Sequence, residues 1–210
     1  MMAKNMPRQQ KRSFSYGQQR AFRGLEEAAI QRRLVKARRL LDLVVSKRPG
    51  KQLDVLELGC GFWGRNLAGL QPDYLNVKFT GVDLSVSKNV AGIHLIQADL
   101  SVWQPEQTYD VVLSLAVVEH LLAPAAHFSL IAKSLKNNGL AGLTTPTPQA
   151  DFVLRTLGKL GIFDREEIED HKLYLTQNGL EILAKQAGLA VEENYTFSLG
   201  MNQWMLLRKA

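Results

Sequence analysis

Apolar positions along the chain change rhythm near residue 50. Between residues 25 and 46, Ile30, Leu34, Ala37, Leu41 and Val44 recur at alternating four- and three-residue steps, with Arg and Lys filling the other faces. That spacing predicts an amphipathic helix, and Pro49-Gly50 ends it. Beyond it, short β-branched or leucine-rich runs at 53–58, 77–82, 93–98, 109–115 and 139–144 alternate with helical stretches at 66–70, 85–91 and 125–135. Pro124 suits a first helical turn, and Asn137-Asn138-Gly139 reads as a left-handed helix stop leading straight into a strand. After Pro146 and Pro148, residues 151–172 read as helical with an acidic stretch. A further helix spans 176–187 with Gly188 as its stop, and runs at 191–198 and 203–208 form a hairpin around 199–202.

Alternation of strand and helix predicts an α/β fold. The specific expectation is a Rossmann-like, doubly wound, seven-stranded and mostly parallel sheet with a terminal antiparallel hairpin strand. Residues 1–50 are expected to form a basic N-terminal extension with a capping helix, and residues 51–210 the main α/β domain. At 210 residues the chain is long enough for one sizeable core.

Charge changes this picture in one respect. The net charge is +6, yet residues 1–51 hold 14 Lys and Arg against 3 Asp and Glu, leaving 12 against 17 in residues 52–210. The body is acidic and only the leader is basic. A solvated helix face accounts for such a leader, as does contact with RNA, an acidic partner or an anionic membrane surface. No apolar run approaches the roughly 18 to 20 residues of a membrane-spanning helix. The single cysteine, Cys60, excludes an intramolecular disulfide and a cysteine-built zinc site, which fits a reducing compartment, the cytoplasm. No metal site is expected.

The chemistry concentrates in Val55 to Gly64, VLELGCGFWG. A buried strand runs directly into a glycine cluster and then a short helix. Glycines permit a tight turn and close approach of a ligand to the backbone, and the helix start offers free N–H groups. A nucleotide-like ligand fits there. The spacing Gly59-x-Gly61-x-x-Gly64 also matches the dinucleotide fingerprint, so alone it does not separate a nicotinamide enzyme from other classes.

The surrounding residues add specificity. Glu57-Leu58-Gly59-Cys60-Gly61 resembles the first motif of the class I S-adenosylmethionine-dependent methyltransferases, with its acid two positions before the first glycine. Phe79 to Ser85 resembles the family's second strand with its acidic tip, Gln97-Ala98-Asp99-Leu100 the end of the third, and Tyr109 to Ser114 the fourth. Val118-Glu119-His120-Leu121 resembles the segment that follows in many small-molecule members, and Gly139 to Pro146 the fifth strand. The resemblance covers residues 50–148. Phe62-Trp63 depart from it, standing where many members carry a small residue and a glycine.

This resemblance implies S-adenosylmethionine as cofactor, bound by Glu57, Gly59, Cys60, Gly61, Gly64, Asp83, Leu84, Asp99, Leu100 and Leu115. Asp83 lies 24 residues after Gly59, where a carboxylate takes both ribose hydroxyls; its plainer role is a helix N-cap. Asp99 is implied to bind the adenine amino group, against capping the next turn. Cys60 reads as a small residue chosen for space, not a nucleophile. Two roles stay open for Glu57: bonding the cofactor's amino group, or fixing the loop's amides. Trp63 is either core or stacked on the cofactor. The candidate catalytic residues are His120, beside the presumed transfer point, and His171, in Glu169-Asp170-His171-Lys172 at the end of an insertion.

Methyl transfer from a sulfonium is an in-line displacement that needs positioning more than a catalytic triad. There is no Asn-Pro-Pro-Tyr or Asp-Pro-Pro-Tyr sequence after the fourth strand and no Pro-Cys pair, which ranks nucleic acid below a small or lipid-linked acceptor, an oxygen acceptor first. Two rivals stand beside this reading: a nicotinamide-dependent oxidoreductase, and a non-catalytic binding protein docking RNA or a partner through its leader. The aromatics Phe14, Tyr16 and Phe22, set among Arg12, Arg20 and Arg23, are expected to fold over the cofactor.

Overall fold

The structure, a computed structural model, describes residues 16–87, 90–150 and 174–209, with the backbone alone for 16–26. Helix α1 (Tyr16–Lys47) leads into strand β1 (Leu53–Leu58), helix α2 (Arg65–Leu70), β2 (Val77–Asp83), β3 (Ile93–Gln97) and β4 (Tyr109–Leu115). Then follow α3 (Pro124–Ser134), β5 (Leu135–Pro146), α4 (Gln177–Gln186), β6 (Leu189–Phe197) and β7 (Asn202–Lys209). The seven strands form one sheet in the order β3-β2-β1-β4-β5-β7-β6. β7 runs antiparallel to both β5 and β6, and the other pairings are parallel. The expected α/β architecture is therefore present.

Alternation along the central strands explains why both faces are covered. Val55, Val111, Leu140 and Leu206 face the side packed by α1 and α2, through Leu34, Ala37, Leu41, Val44, Leu67 and Leu70. Their neighbours Leu56, Val112, Ala141 and Leu207 face α3 and α4, through Phe128, Ile131, Leu180 and Ala184. Every residue of β4 is buried, as a strand covered on both faces requires. The apolar stripe of α1 thus belongs to the main core. Among the described residues no helix is long and apolar enough to cross a membrane.

Three local expectations are corrected. The helix at 85–91 is not formed: its described residues, 85–87 and 90–91, are bend, coil and turn. The Ser87 N–H donates to the Phe62 carbonyl (2.7 Å), tying this stretch to the glycine loop, and Gly92 (φ +73°) turns the chain into β3. Asn137-Asn138-Gly139 is not the stop of α3, which ends at Ser134. Asn138 is left-handed as expected (φ +59°) but lies inside β5, where pairing jumps from Tyr109↔Leu135 to Val111↔Leu140. Helix α1 begins at Tyr16 because residues 16–25 are mostly good helix formers. The segment 151–172 lies outside the described residues.

The bulge in β5 has an electrostatic consequence. It places the Lys136 ammonium 2.8 Å from Asp110 and 2.9 Å from Asp54 at the amino end of the sheet. The Asp110 carboxylate also accepts from Arg48 and from the Asp54 N–H (2.9 Å). Burial pushes the Asp110 carboxyl up, but the Asp54 amide, Lys136 and Arg48 outweigh it and hold it below the usual carboxylate range. A depressed pKa stabilises the fold above the unfolded value, and that contribution is lost as pH falls. Both cations keep about a third of their exposure, so Asp110→Asn should destabilise by roughly 1–3 kcal/mol at pH 7, less than for a fully buried pair. Urea unfolding checks this, and the difference from wild type should shrink below about pH 4.

Candidate active site

The order of the sheet reverses between β1 and β4, where a crevice opens beyond the carboxyl ends of the strands. The loop after β1 supplies one wall. Gly59, Gly61 and Gly64 all have positive φ (+74°, +71° and +54°), which only glycine adopts without penalty. Close approach adds to the constraint at Gly59, where a Cβ would lie 2.5 Å from Val117 Cγ2. The Gly59 N–H donates to Val82 O (2.8 Å), and the Gly61 N–H to Asp83 Oδ2 (2.9 Å). The loop is therefore held against β2 by backbone and carboxylate together.

Cys60 is buried in this turn, and a Cβ on Gly81 would meet its sulfur at 2.7 Å. Burial, then the nearby Glu57 and Asp83 charges, push the thiol up to about 12. At that value almost no thiolate exists near neutral pH, in keeping with a residue chosen for its size.

Glu57, on the last turn of β1, is fully buried. Its Oε1 accepts from Asn66 Nδ2 (2.6 Å) on α2, whereas its Oε2 has no partner. Burial raises its carboxyl from 4.5 to about 7 against the opposing pull of Asn66 and Arg33, and Asp83 adds to the rise. An unpaired buried carboxyl oxygen is costly, and here it sits directly beneath the glycine loop.

The second and third strands bring their acids to the same end. Asp83 Oδ1 also accepts from the Ser85 N–H (3.4 Å), so its carboxylate braces two turns. Asp99 is exposed and its Oδ1 accepts from the Ser101 N–H (2.8 Å), a bond that lowers its pKa. Both acids thus make the local caps, and each oxygen keeps a further lone pair. Leu84 is exposed, Leu100 half-buried and Leu115 buried at the end of β4. Trp63 is not core: it is 53% exposed and meets Phe62 edge to face at 4.8 Å.

His120 is half-buried in the short 3₁₀ turn Val118–His120 that follows β4. Next to it Glu119 is buried, accepts from Thr145 Oγ1 (3.0 Å), and has its carboxyl raised by burial. His171 lies outside the described residues. Several contributors escape the sequence reading. Ala116 has φ +59°, with its N–H donating to both Thr144 O and Thr144 Oγ1, and this kink turns Val117 toward Gly59. Nothing in the sequence marks an alanine for that conformation. Arg33, on α1, places its field on both Glu57 and Glu119. A signal existed for it: three residues after Ile30 and four before Ala37, it is a cation beside the apolar stripe.

Comparison with known proteins agrees with this geometry. A family model described as "Methyltransferase domain" matches residues 27–194. The chain is 26% identical to the ubiquinone biosynthesis O-methyltransferase of Hydrogenovibrio crunogenus, over 66% of this chain and 63% of that protein. It is also 26% identical to the protein of that name in Bartonella quintana, over 71% and 65%. The match thus spans somewhat under two thirds of these curated relatives. Among solved structures, the plantazolicin methyltransferase BpumL, in complex with a substrate analogue and SAH, superposes with a TM-score of 0.68 at 15% identity, covering 91% of this chain and 94% of that one.

The Glu57 arrangement yields a direct test. A carboxyl raised from 4.5 to about 7 in the native state binds more protons folded than unfolded, so its contribution is fully present below about pH 4.5 and is lost as pH rises through about 7. The loss amounts to roughly 3 kcal/mol. Glu57→Gln keeps an acceptor for Asn66 and cannot ionise. Its melting temperature relative to wild type should therefore rise between pH 5 and pH 8, and parallel pH profiles would contradict the assignment.

Proposed function

The chain belongs to the methyltransferase-domain family, and on that basis we propose that it methylates an oxygen of a small or lipid-linked acceptor. S-adenosylmethionine is its cofactor. The observation that carries the reading is Glu57: a buried carboxyl with an unpartnered oxygen, two residues before a glycine turn whose Gly59 has no room for a side chain. Such a group calls for a cationic ligand, and the cofactor's ammonium is one. A nicotinamide has no ammonium to meet it, which disfavours the oxidoreductase alternative.

When bound, S-adenosylmethionine supplies a methyl group on a positively charged sulfur. Glu57 would ionise to hold the ammonium, and Arg33 on α1 favours that ionised form. Gly59, Cys60, Gly61 and Gly64 would offer their backbone to the ligand, Asp83 would accept from the ribose hydroxyls, and Asp99 with Leu84 and Leu100 would bound the adenine. Leu115, at the end of β4, would border the cofactor from the other side of β1. His120 would take the proton of the acceptor hydroxyl as its oxygen gains the methyl. His171 is a second candidate base. The oxygen acceptor is supported by the relatives' name, ubiquinone biosynthesis O-methyltransferase.

Ligand-induced stabilisation tests the cofactor, since a ligand at a hundredfold excess over its Kd adds ~2.7 kcal/mol. S-adenosylmethionine and S-adenosylhomocysteine should raise the melting temperature, while NAD and NADP should not. With labelled S-adenosylmethionine, label should pass to a phenolic or quinol-type hydroxyl and far less so in His120→Ala. Stabilisation by a nicotinamide cofactor alone would overturn the proposal.

A further inference from the structure

Large apolar side chains stand exposed at the carboxyl end of the sheet, on separate loops: Trp63 after β1, Leu84 after β2, Leu122 after β4 and Leu199 at the β6–β7 tip. Exposed apolar residues occur elsewhere too, Leu75 before β2 among them, and scattered ones need no explanation. What sets this end apart is the company Leu199 keeps. Arg32, Val35 and Lys36 of α1 and Phe197, Ser198 and Leu199 enclose an open cavity of about 420 Å³. Lys36 lies over the Tyr195 and Phe197 rings (4.7 and 5.1 Å to their centroids) and donates to Tyr195 Oη (3.0 Å). Its stem is fixed and its charge is held at the rim.

Leu199 itself is presented against two penalties. It is fully exposed, and it stands in a run of three left-handed residues, Ser198, Leu199 and Gly200 (φ +54°, +57° and +80°). Left-handed backbone is unfavourable for a residue with a branched side chain. The tip is held in place from below, where Thr147 donates through Oγ1 to Gly200 O (2.7 Å) and through N–H to Met201 O (3.0 Å). A fold that braces a strained, fully exposed leucine across a cavity from two cations of α1 presents a surface that is apolar at its tip and positive beside it.

We propose that this end of the molecule docks on an anionic phospholipid bilayer, with Leu199 and Val35 entering the headgroup layer and Arg32 and Lys36 meeting the phosphates. Charge complementarity selects a bilayer. Residues 1–51 hold 14 Lys and Arg against 3 acids, while the remainder holds 12 against 17. An anionic bilayer therefore attracts Arg32 and Lys36 of α1, and Leu199 beside them, at the carboxyl end of the sheet, brings that end to the lipid. The inference deepens the proposed function, since a lipid-linked acceptor would then enter from the bilayer itself.

Flotation of the full chain with vesicles provides the test. The protein should float with phosphatidylcholine vesicles containing phosphatidylglycerol, stay behind with phosphatidylcholine alone, and be released by salt. Arg32→Glu, a charge reversal, should lower partitioning at least tenfold, and Leu199→Asp, which replaces the apolar anchor with a charge of the lipid's own sign, should lower it likewise. Affinity for S-adenosylhomocysteine should not change, which shows that both variants are folded. Absence of flotation would overturn the proposal. So would flotation unchanged in both variants but lost on removing residues 1–15, because the leader alone would then be the tether. Flotation with no methylation of a vesicle-borne acceptor would leave the docking standing and remove the lipid-linked acceptor.

Discussion

Glu57 is a carboxyl group that the fold buries completely without pairing both of its oxygens. Most of the crevice is arranged around that constraint. Asn66 holds one oxygen in place, and Gly59 in the loop that follows lets Val117 close in after β4. Desolvation keeps the carboxyl largely neutral at pH 6 and about half neutral at pH 7 in the free protein. A cationic ligand reverses that balance, because an opposite charge within a few ångströms favours the ionised form. The site is thus stable while empty and gains an ion pair when filled.

The position of this acid follows from the sheet. β1 lies at the reversal of strand order, between β2 and β4, so its carboxyl end faces loops from both sides. Asp83 reaches back from β2 to the Gly61 amide, while Ala116 and Val117 reach across from β4. Helix α1 joins the arrangement from outside the sheet: its apolar stripe is core, and Arg33 beside that stripe acts on Glu57 and Glu119 alike. Residues before β1 therefore belong to the site's electrostatics.

Much of this was legible in the sequence for identifiable reasons. Strands buried on both faces read as apolar runs, and a glycine triplet after one of them marks a turn that no other residue makes, so β1, β4, the loop and Asp83 were found directly. Helix α4 was equally plain from its apolar spacing and Gly188 stop, and the structure adds the cap at Thr176, which accepts from the Gly179 N–H. Features set by tertiary contact were not legible. The stretch after β2 has helical composition but gives its Ser87 amide to Phe62. Asn138 is left-handed as a helix stop would be, yet it serves a bulge that delivers Lys136 to Asp110. Trp63 reads as a core residue and lies on the surface, and the Asn66 partner of Glu57 has no local signature.

The central claim is that Glu57 changes its protonation state when the cofactor binds. Isothermal titration calorimetry of S-adenosylmethionine binding, in buffers of differing ionisation enthalpy, measures the protons exchanged. Between pH 6 and pH 7 the account predicts release of about half to one proton per site, absent in Glu57→Gln, with wild-type affinity rising with pH across that interval. Binding without proton release, or equal release by wild type and Glu57→Gln, would contradict it.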